Sequence, residues 1–279
     1  MTASILQLLP FQNLVASGIA TCDLRNLFGY GIERFTLNLG GTFTKSMITS
    51  LQLKANGKVI IDSDGSKMDS RMLWRGFTAN AAFLTVDFCE LRMKTKAGVL
   101  AGVLDTTNGC KDLRLEVTIA GATAPTLAGF AETCAPLVTP DLASVRPLVA
   151  RIHRITQTIG AAGTFPLQIP HLDPNYGGSL FKRIAIFSTN MTGARVERNG
   201  IREWELTTAA ANNFNAGEYL RVSQAGLFMI DFMLDGFQED RVLDTRPANG
   251  VTTAAVYGTF SGGETITIEV EVLEPMDVY

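Results

Sequence analysis

Gln224-Ala-Gly-Leu-Phe-Met-Ile-Asp-Phe232 repeats, 144 residues further on, the pattern of Asn80-Ala-Ala-Phe-Leu-Thr-Val-Asp-Phe88. Each copy leads from turn-forming residues into an apolar run closed by an aspartate, which reads as a strand. Two more blocks follow in the same order. Val103-Leu-Asp-Thr-Thr107 matches Val242-Leu-Asp-Thr-Arg246 at an offset of 139, and Leu115-Glu-Val-Thr-Ile119 matches Ile268-Glu-Val-Glu-Val272 at 153. Shifting offsets are what insertions in loops between fixed strands produce. The chain therefore reads as two copies of one β domain in tandem, with a period too long for a solenoid or a propeller blade. Asp87 is expected over Asp231, and Glu116 over Glu269.

Strand signals dominate the rest of the chain. Phe35 to Leu39, Ser50 to Leu53, Val59 to Asp62, Phe83 to Phe88, Leu113 to Ile119, Ile184 to Phe187, Leu227 to Met233 and Thr265 to Val272 are short runs rich in β-branched and aromatic residues. Gly40-Gly41, Asn56-Gly57, Asp64-Gly65, Asn108-Gly109, Asn199-Gly200, Asn249-Gly250 and Gly262-Gly263 punctuate them as turn formers that supply positive φ. The run TITIEVEV alternates strictly and predicts one buried and one polar face, while Asp112 to Ile119 alternates less cleanly. Helical pattern is confined to Met68 to Arg75, the surroundings of Thr139 to Val145, and Glu205 to Asn213. Such sparse helix among many short strands predicts an all-β sandwich. Ala120 to Pro147, with prolines at 125, 136, 140 and 147, reads as the connection between the copies. The resulting division is an arm at 1–14, a first β domain at 15–121, a linker at 122–147 and a second β domain at 148–279.

Composition narrows the function. Charged residues are 18% of the 279, hydrophobic residues are 46%, and the net charge is -3, which excludes a disordered chain and gives no support to a binder that neutralises many phosphates. The 24 cations divide into 16 Arg and 8 Lys. Arg is the cation enriched at protein interfaces, so low charge with an Arg bias points to a surface covered by other subunits. Cys22, Cys89, Cys110 and Cys134 form no CxxC pair, and with two histidines a structural zinc site has no ligand set. The thiols read as small buried hydrophobes and are expected to be reduced.

The first 22 residues carry no side-chain charge. They lack the cationic start of a signal peptide, and Gln7, Pro10, Gln12, Asn13, Ser17 and Gly18 interrupt any membrane span. The remaining cluster of Ile5, Leu6, Leu8, Leu9 and Phe11 reads as a terminal arm packed on its own domain or a neighbour, or as a contact with a lipid surface.

Chemistry-bearing motifs are weak. Asp62-Ser-Asp64-Gly65 with Asp69 offers oxygen ligands, but the glycine is fourth where an EF-type calcium loop needs it sixth, so a solvated hairpin turn is the better reading. His171-Leu-Asp173-Pro-Asn175 has no second histidine at ligand spacing. GxSxG, HExxH, GxGxxG and P-loop patterns are absent. Asp87 and Asp231 could be imagined as glycosidase carboxylates, yet a duplicated position answers a shared structural need, such as capping a loop backbone. Arg146, Arg151 and Arg154, with Lys182 and Arg183, read as a solvated face or as a set of salt bridges between subunits. No catalytic residue, cofactor or metal ligand is assigned, and a structural calcium ion lacks a clear motif.

Two tandem β domains, scarce helix and the block Phe228-Met-Ile-Asp-Phe-Met-Leu-Asp-Gly236 together resemble the double jelly-roll major capsid proteins of icosahedral bacteriophages with an internal membrane, of the corticovirus type. The resemblance is best from Arg151 to Gly236, including the Thr164 to Pro170 loop, the strand at Ile184 and the segment around Trp204. It implies two eight-stranded jelly rolls with strands upright in the shell, a pseudo-hexagonal homotrimeric capsomer, and a lipid bilayer beneath. It also implies neighbouring capsomers, a vertex (penton) protein and the membrane or its proteins as partners, no sequence-specific nucleic acid binding, and assembly in the host cytoplasm into the virion capsid. The family brings no catalytic residues. The rival readings are a glycan hydrolase built of two jelly rolls, which needs clustered acids and aromatics, and a carbohydrate-binding lectin, which needs exposed Trp or Tyr.

Overall fold

The computed structural model describes residues 4–107, 109–136, 148–237 and 241–275. The chain forms two units, one of Met1–Met72, Phe77–Ile152 and Glu274–Tyr279, the other of Leu73–Gly76 and His153–Leu273.

The first unit carries β1 (Ser4–Gln7), β2 (Gly18–Asp23), β3 (Gly31–Gly40), β4 (Ile48–Ala55), β5 (Lys58–Ser63), β6 (Phe83–Asp87), β7 (Leu104–Asp105), β8 (Leu113–Ile119) and β9 (Thr126–Cys134), with helix α1 (Gly65–Trp74) beginning after β5 and helix α2 (Lys96–Leu100) after β6. Its two sheets run β1-β9-β3-β6, with β7 on β3, and β2-β8-β4-β5. Alternation produces this packing: β8 reads buried and accessible in turn along LRLEVTI, so Leu113, Leu115, Val117 and Ile119 point into the core. Phe35 and Leu37 of β3, Leu51 and Leu53 of β4, and Val86 of β6 line that core at 0–1% exposure. Each such side chain contributes about 1.5–3 kcal/mol by leaving water.

The second unit carries β10 (Leu148–Ile159), β11 (Gly163–Pro166), β12 (Leu180–Phe187), β13 (Met191–Arg198), β14 (Ile201–Leu206), α3 (Ala209–Glu218), β15 (Leu227–Asp231), β16 (Leu243–Asp244), β17 (Ala254–Phe260) and β18 (Glu264–Pro275). Here the strand orders are β10-β18-β12-β15, with β16 on β12, and β11-β17-β13-β14. Replacing β1 by β10, β2 by β11 and so on through the sequence turns the first pattern into the second. Each unit is an eight-stranded jelly roll with one short extra strand, so the fold is a double jelly roll. The core of the second roll gathers Phe181, Ile184 and Ile186 of β12 with Val196, Val256 and Ile268.

Each of the eight strand segments read from the sequence holds a strand, although β6 stops at Asp87 and β15 at Asp231, short of the ends expected at Phe88 and Met233. The duplication is tighter than the repeat blocks alone indicate. Leu104–Asp105 pairs with β3 and Leu243–Asp244 pairs with β12. β3 shifts register between Ile32 and Arg34, and β12 between Phe181 and Arg183, so the same bulge recurs in both rolls. The third repeat block does not hold. Glu116 lies on β8, between β4 and β2, whereas Glu269 lies on β18, between β10 and β12, and the strand equivalent to β18 is β9. Alternating strands of similar composition produced that match, and the duplication rests on the other two blocks.

The expected boundaries also need correction. Residues 4–7 form a strand of the first roll itself, the packing on its own domain that is one of the sequence readings, because β1 pairs antiparallel with β9, from Ser4↔Thr133 to Gln7↔Phe130. The first roll therefore starts before residue 15 and ends near 134, inside what composition marks as the linker. Residues 137–147, with the expected helix near Thr139 to Val145, lie outside the described residues. The TITIEVEV strand is buried on both faces from Ile268 onward, and Glu271 finds Lys182 and Arg183 beneath the surface. The helix expected at Glu205 to Asn213 starts at Ala209, since Glu205 still pairs with Arg195 in β14.

Two turns show how residue type imposes the roll. Asn56 and Asn199 adopt φ of 52° and 51° between β4 and β5 and between β13 and β14, each followed by a left-handed glycine. This is the hairpin geometry that Asn-Gly favours. Asn56 Oδ1 accepts from the N–H groups of Lys111 and Asp112, and Asn199 Oδ1 from those of Thr252 and Thr253. Their amides donate to Gly109 O and Gly250 O. Asn199→Ala, which loses these bonds and strains φ, is expected to cost about 2 kcal/mol, and Asn199→Gly, which keeps φ free, about half of that; urea unfolding of both variants measures the difference.

Candidate functional site

The most conspicuous polar constellation of the second roll crosses three strands. The cross-strand register brings Arg183 of β12 level with Asp231 of β15 and Glu271 of β18. Arg183 Nε donates to Asp231 Oδ2 at 2.9 Å and Nη1 to Glu271 Oε2 at 3.3 Å. Lys182 Nζ lies 2.9 Å from Glu271 Oε1, and Arg221 Nε 3.5 Å from Asp231 Oδ2. Trp74 Nε1 donates to the same Asp231 oxygen at 3.4 Å. These charged side chains are at most 3% exposed, so charge balance inside the protein replaces water. The first roll repeats the register with Arg34, Asp87 and Glu132. Arg34 Nη2 meets Glu132 Oε2 at 2.8 Å, with the two side chains 19% and 25% exposed.

Asp87 and Asp231 have the structural task expected of a duplicated position. Asp87 Oδ1 accepts from Cys89 N and Asp231 Oδ1 from Met233 N, each at 3.0 Å. With no exposed side-chain surface, Asp231 cannot reach a glycosidic bond. The second repeat works likewise. Asp105 Oδ1 accepts from Thr107 N, and Asp244 Oδ1 from Arg246 N, both at 2.9 Å. Thr106 N bonds Tyr30 O and Thr245 N bonds Ser179 O. The Thr106 hydroxyl binds Leu27 O and Tyr30 O while accepting from Gly29 N, and the Thr245 hydroxyl accepts from Ser179 N. Each threonine staples the loop that leads into β3 or β12.

The remaining motifs resolve as local structure. Asp62-Ser-Asp64-Gly65 is a strand-to-helix junction and not a hairpin turn. Asp64 Oδ1 caps α1 by accepting from Lys67 N at 2.9 Å, Asp69 pairs with Lys45 Nζ at 2.6 Å, and Asp62 meets the Gln52 amide at 3.5 Å. Gly65 is required because a Cβ there would stand 2.2 Å from Lys45 O. His171 is not isolated, since its ring stacks on His153 with centroids 4.3 Å apart. Asp173 next to it caps the short helix Pro174–Tyr176 by accepting from Asn175 N at 2.8 Å. The four cysteines are free thiols, and burial pushes Cys22, Cys110 and Cys134 up to about 11, so they remain protonated.

Three members of the basic stretch, Arg151, Lys182 and Arg183, are buried. Arg146 lies outside the described residues. Arg151 is 3% exposed, donates through Nη2 to Val59 O at 3.0 Å, and lies 3.3 Å from Glu274. Arg154 is half-buried, and Lys182 and Arg183 belong to the buried cluster. Nearby residues of β10 and β12, strands buried on both faces over part of their length, read as a basic run. The five apolar residues of the N-terminus also divide. Leu8 is buried and its N–H binds Gly129 O, Leu6 and Phe11 are half-buried, and Ile5 and Leu9 point outward at 67% and 36% exposure. No helix among the described residues is long and apolar enough to cross a membrane.

Sequence reasoning missed one exposed apolar segment. Phe214, Leu220, Val222 and Tyr219, at the end of α3 and just beyond it, are 72%, 73%, 53% and 43% exposed. An offset of 144 extended backwards from Asn80/Gln224 would have found their counterparts at the end of α1.

Glu264 fastens the turn between β12 and β13. It accepts from Ser188 Oγ, from Thr189 N and Asn190 N at 3.0 Å, and from Thr189 Oγ1 at 3.1 Å. Burial alone would raise this carboxyl, but the Ser188 hydrogen bond and the two backbone N–H groups outweigh it and hold it below the usual range. A carboxyl depressed by folding stabilises fully above its unfolded value and ceases to do so as pH falls through its folded value. Glu264→Gln is therefore expected to cost about 1 kcal/mol at pH 7 and nothing below both values, as thermal melts from pH 7 to pH 2 would record.

Comparison with known proteins follows the architecture. The family model described as viral coat protein P2 N-terminal domain matches residues 5–134, and that of the viral coat protein P2 C-terminal domain matches 149–276. No curated protein matched the chain. Among solved structures, the chain is similar to the major capsid protein P2 of bacteriophage PM2, at 17% identity and a TM-score of 0.80 over 98% of both chains. It is similar to the major capsid protein of Sulfolobus turreted icosahedral virus at 13% identity and 0.69, covering 99% of this chain and 98% of that one. It also resembles a subunit of the PBCV-1 virus capsid at 10% and 0.60, covering 98% and 93%. At these identities the likeness is one of fold.

Proposed function

Because the chain belongs to the P2 family of viral coat proteins, carrying the N- and C-terminal domains in order, we propose that it works as a homotrimeric capsomer of an icosahedral shell laid over an internal lipid membrane. It is a capsid protein and a structural subunit, not an enzyme, and its place is the virion. The observation that supports the trimer is the duplication itself. Two rolls of identical strand order, with the same bulge and the same turn staples, present six near-equivalent units in three copies, which suits a subunit surrounded by six neighbours. Assembly in the host cytoplasm, and contacts with neighbouring capsomers, a vertex protein and membrane-associated virion proteins, follow from the same reading.

The position of β1 favours a neighbouring subunit over lipid as the partner of the N-terminal edge. β1 is the outermost strand of its sheet, paired with β9 alone among the described strands. An edge strand carries backbone N–H and C=O groups that lipid cannot satisfy and another chain can. The glycan-hydrolase reading loses its carboxylates to structural duty; the lectin reading keeps exposed tyrosines, Tyr176 and Tyr219, but loses its tryptophans, since Trp74 is fully buried and Trp204 is half-buried against Phe228.

Sedimentation of the purified protein at micromolar concentration is expected to give three copies of the 30.1-kDa chain, held by interfaces of more than about 2,000 Å²; a monomer would remove the proposal. Deletion of residues 1–14 would take β1 out of the roll, so the edge is tested by Ile5→Asp with Leu9→Asp. Loss of shell assembly with lipid flotation unchanged is the expected outcome. Shells that form normally but no longer float with vesicles would assign the edge to the membrane.

A further inference from the structure

The two helices that precede β6 and β15 end in the same way. Phe77 N bonds Met72 O and Gly76 N bonds Leu73 O; 144 residues later Arg221 N bonds Ala216 O and Leu220 N bonds Gly217 O. Gly76 and Leu220 are both left-handed, at φ of 81° and 58°, which completes a Schellman motif at each end. Trp74 is thereby the counterpart of Glu218, and Arg75 of Tyr219. Their environments differ completely. Leu73–Gly76 belong to the second unit, where Trp74 is fully buried over Ala185, Leu227 and Met229 on the outer face of β12 and β15. Residues 217–220 are exposed.

The faces that such an end can cover are also duplicated, and one is open. On the first roll, Phe83 stands where Leu227 stands on the second, and Asn38 where Phe187 stands, by the registers Asn38↔Phe83 and Phe187↔Leu227. Phe83 is 38% exposed while Leu227 is 6% exposed. Beside them Arg34, the counterpart of Arg183, has a buried Nε with no hydrogen-bond acceptor.

We infer that residues 214–222 of one copy dock on the outer face of β3 and β6 in the first roll of a second copy, as Leu73–Gly76 cover the second roll. Phe214, Leu220 and Val222 supply the apolar contact. The conformation of Leu220 supports this assignment: a leucine held left-handed where its counterpart is glycine, and exposed, is strain without burial in the single chain. Each copy then has one donor segment and one acceptor face, a head-to-tail interface that closes into a ring and not into a two-fold pair. The inference rests on the trimer reading and adds its contacts.

Sedimentation equilibrium of the full chain tests it, with Phe214→Asp, Leu220→Asp and the control Ile201→Asp, an exposed apolar residue of β14. The wild type and the control are expected to form trimers, and the two segment variants to associate at least 100-fold more weakly while keeping the wild-type circular dichroism. Leu220→Gly is expected to raise the melting temperature of the dilute monomer while weakening association, two changes that a purely structural role would not separate. If the aspartate variants misfold, a photo-crosslinking benzoylphenylalanine at position 220 decides: adducts on peptides of β3 or β6 from another copy support the docking, and adducts elsewhere overturn it. A wild-type trimer whose segment variants remain trimers overturns this inference alone, whereas a wild-type monomer overturns the trimer reading with it.

Discussion

A charged row with no access to water governs the second roll. Arg183 lies between Asp231 and Glu271, and the three can coexist under the surface only if their strands hold one register. A slip by one residue would carry Arg183 to the opposite face, among Phe181, Ile184 and Ile186. Removing one member of such a set costs about 3–5 kcal/mol, because it leaves a buried charge uncompensated. The bulge between Phe181 and Arg183 belongs to the same solution, since an extra residue in the strand re-aims a side chain. The row in the first roll is partly solvated at Arg34 and Glu132, so that pair contributes less to stability.

Burial of charge also explains which features were legible in the sequence. Strands with one wet face, such as β8, announce themselves by alternation. The Asp87/Asp231 and Asp105/Asp244 positions were legible because a side chain that must cap its own backbone two residues on admits few substitutes. Asn56 and Asn199 were visible as turns, but their similar offsets of 53 and 51 residues from the glycines they bind passed unnoticed. That signal was present in the chain.

Other elements could not be read locally. β1 looks like an apolar arm and β9 like an Ala- and Thr-rich linker, because the strands they pair with lie far away in sequence. Arg151, Lys182 and Arg183 read as surface cations because their partners Glu274, Asp231 and Glu271 lie 48 to 123 residues away in sequence. The Glu116/Glu269 match failed for the converse reason: alternating strands of one composition resemble one another wherever they lie in a roll.

The pairing of β1 with β9 has a consequence in time. Thr133, the partner of Ser4, is made 129 residues after it, which at about 5–20 residues per second is a delay of roughly 6 to 26 s. Throughout that interval Ile5, Leu6 and Leu8 have no sheet to join, and β9 must enter between β1 and β3 as the last strand of the roll to be synthesised. Closure of a loop this long makes the first roll a slow, high-contact-order folder. The nascent edge is where a chaperone would act, and where two chains translated side by side would exchange strands.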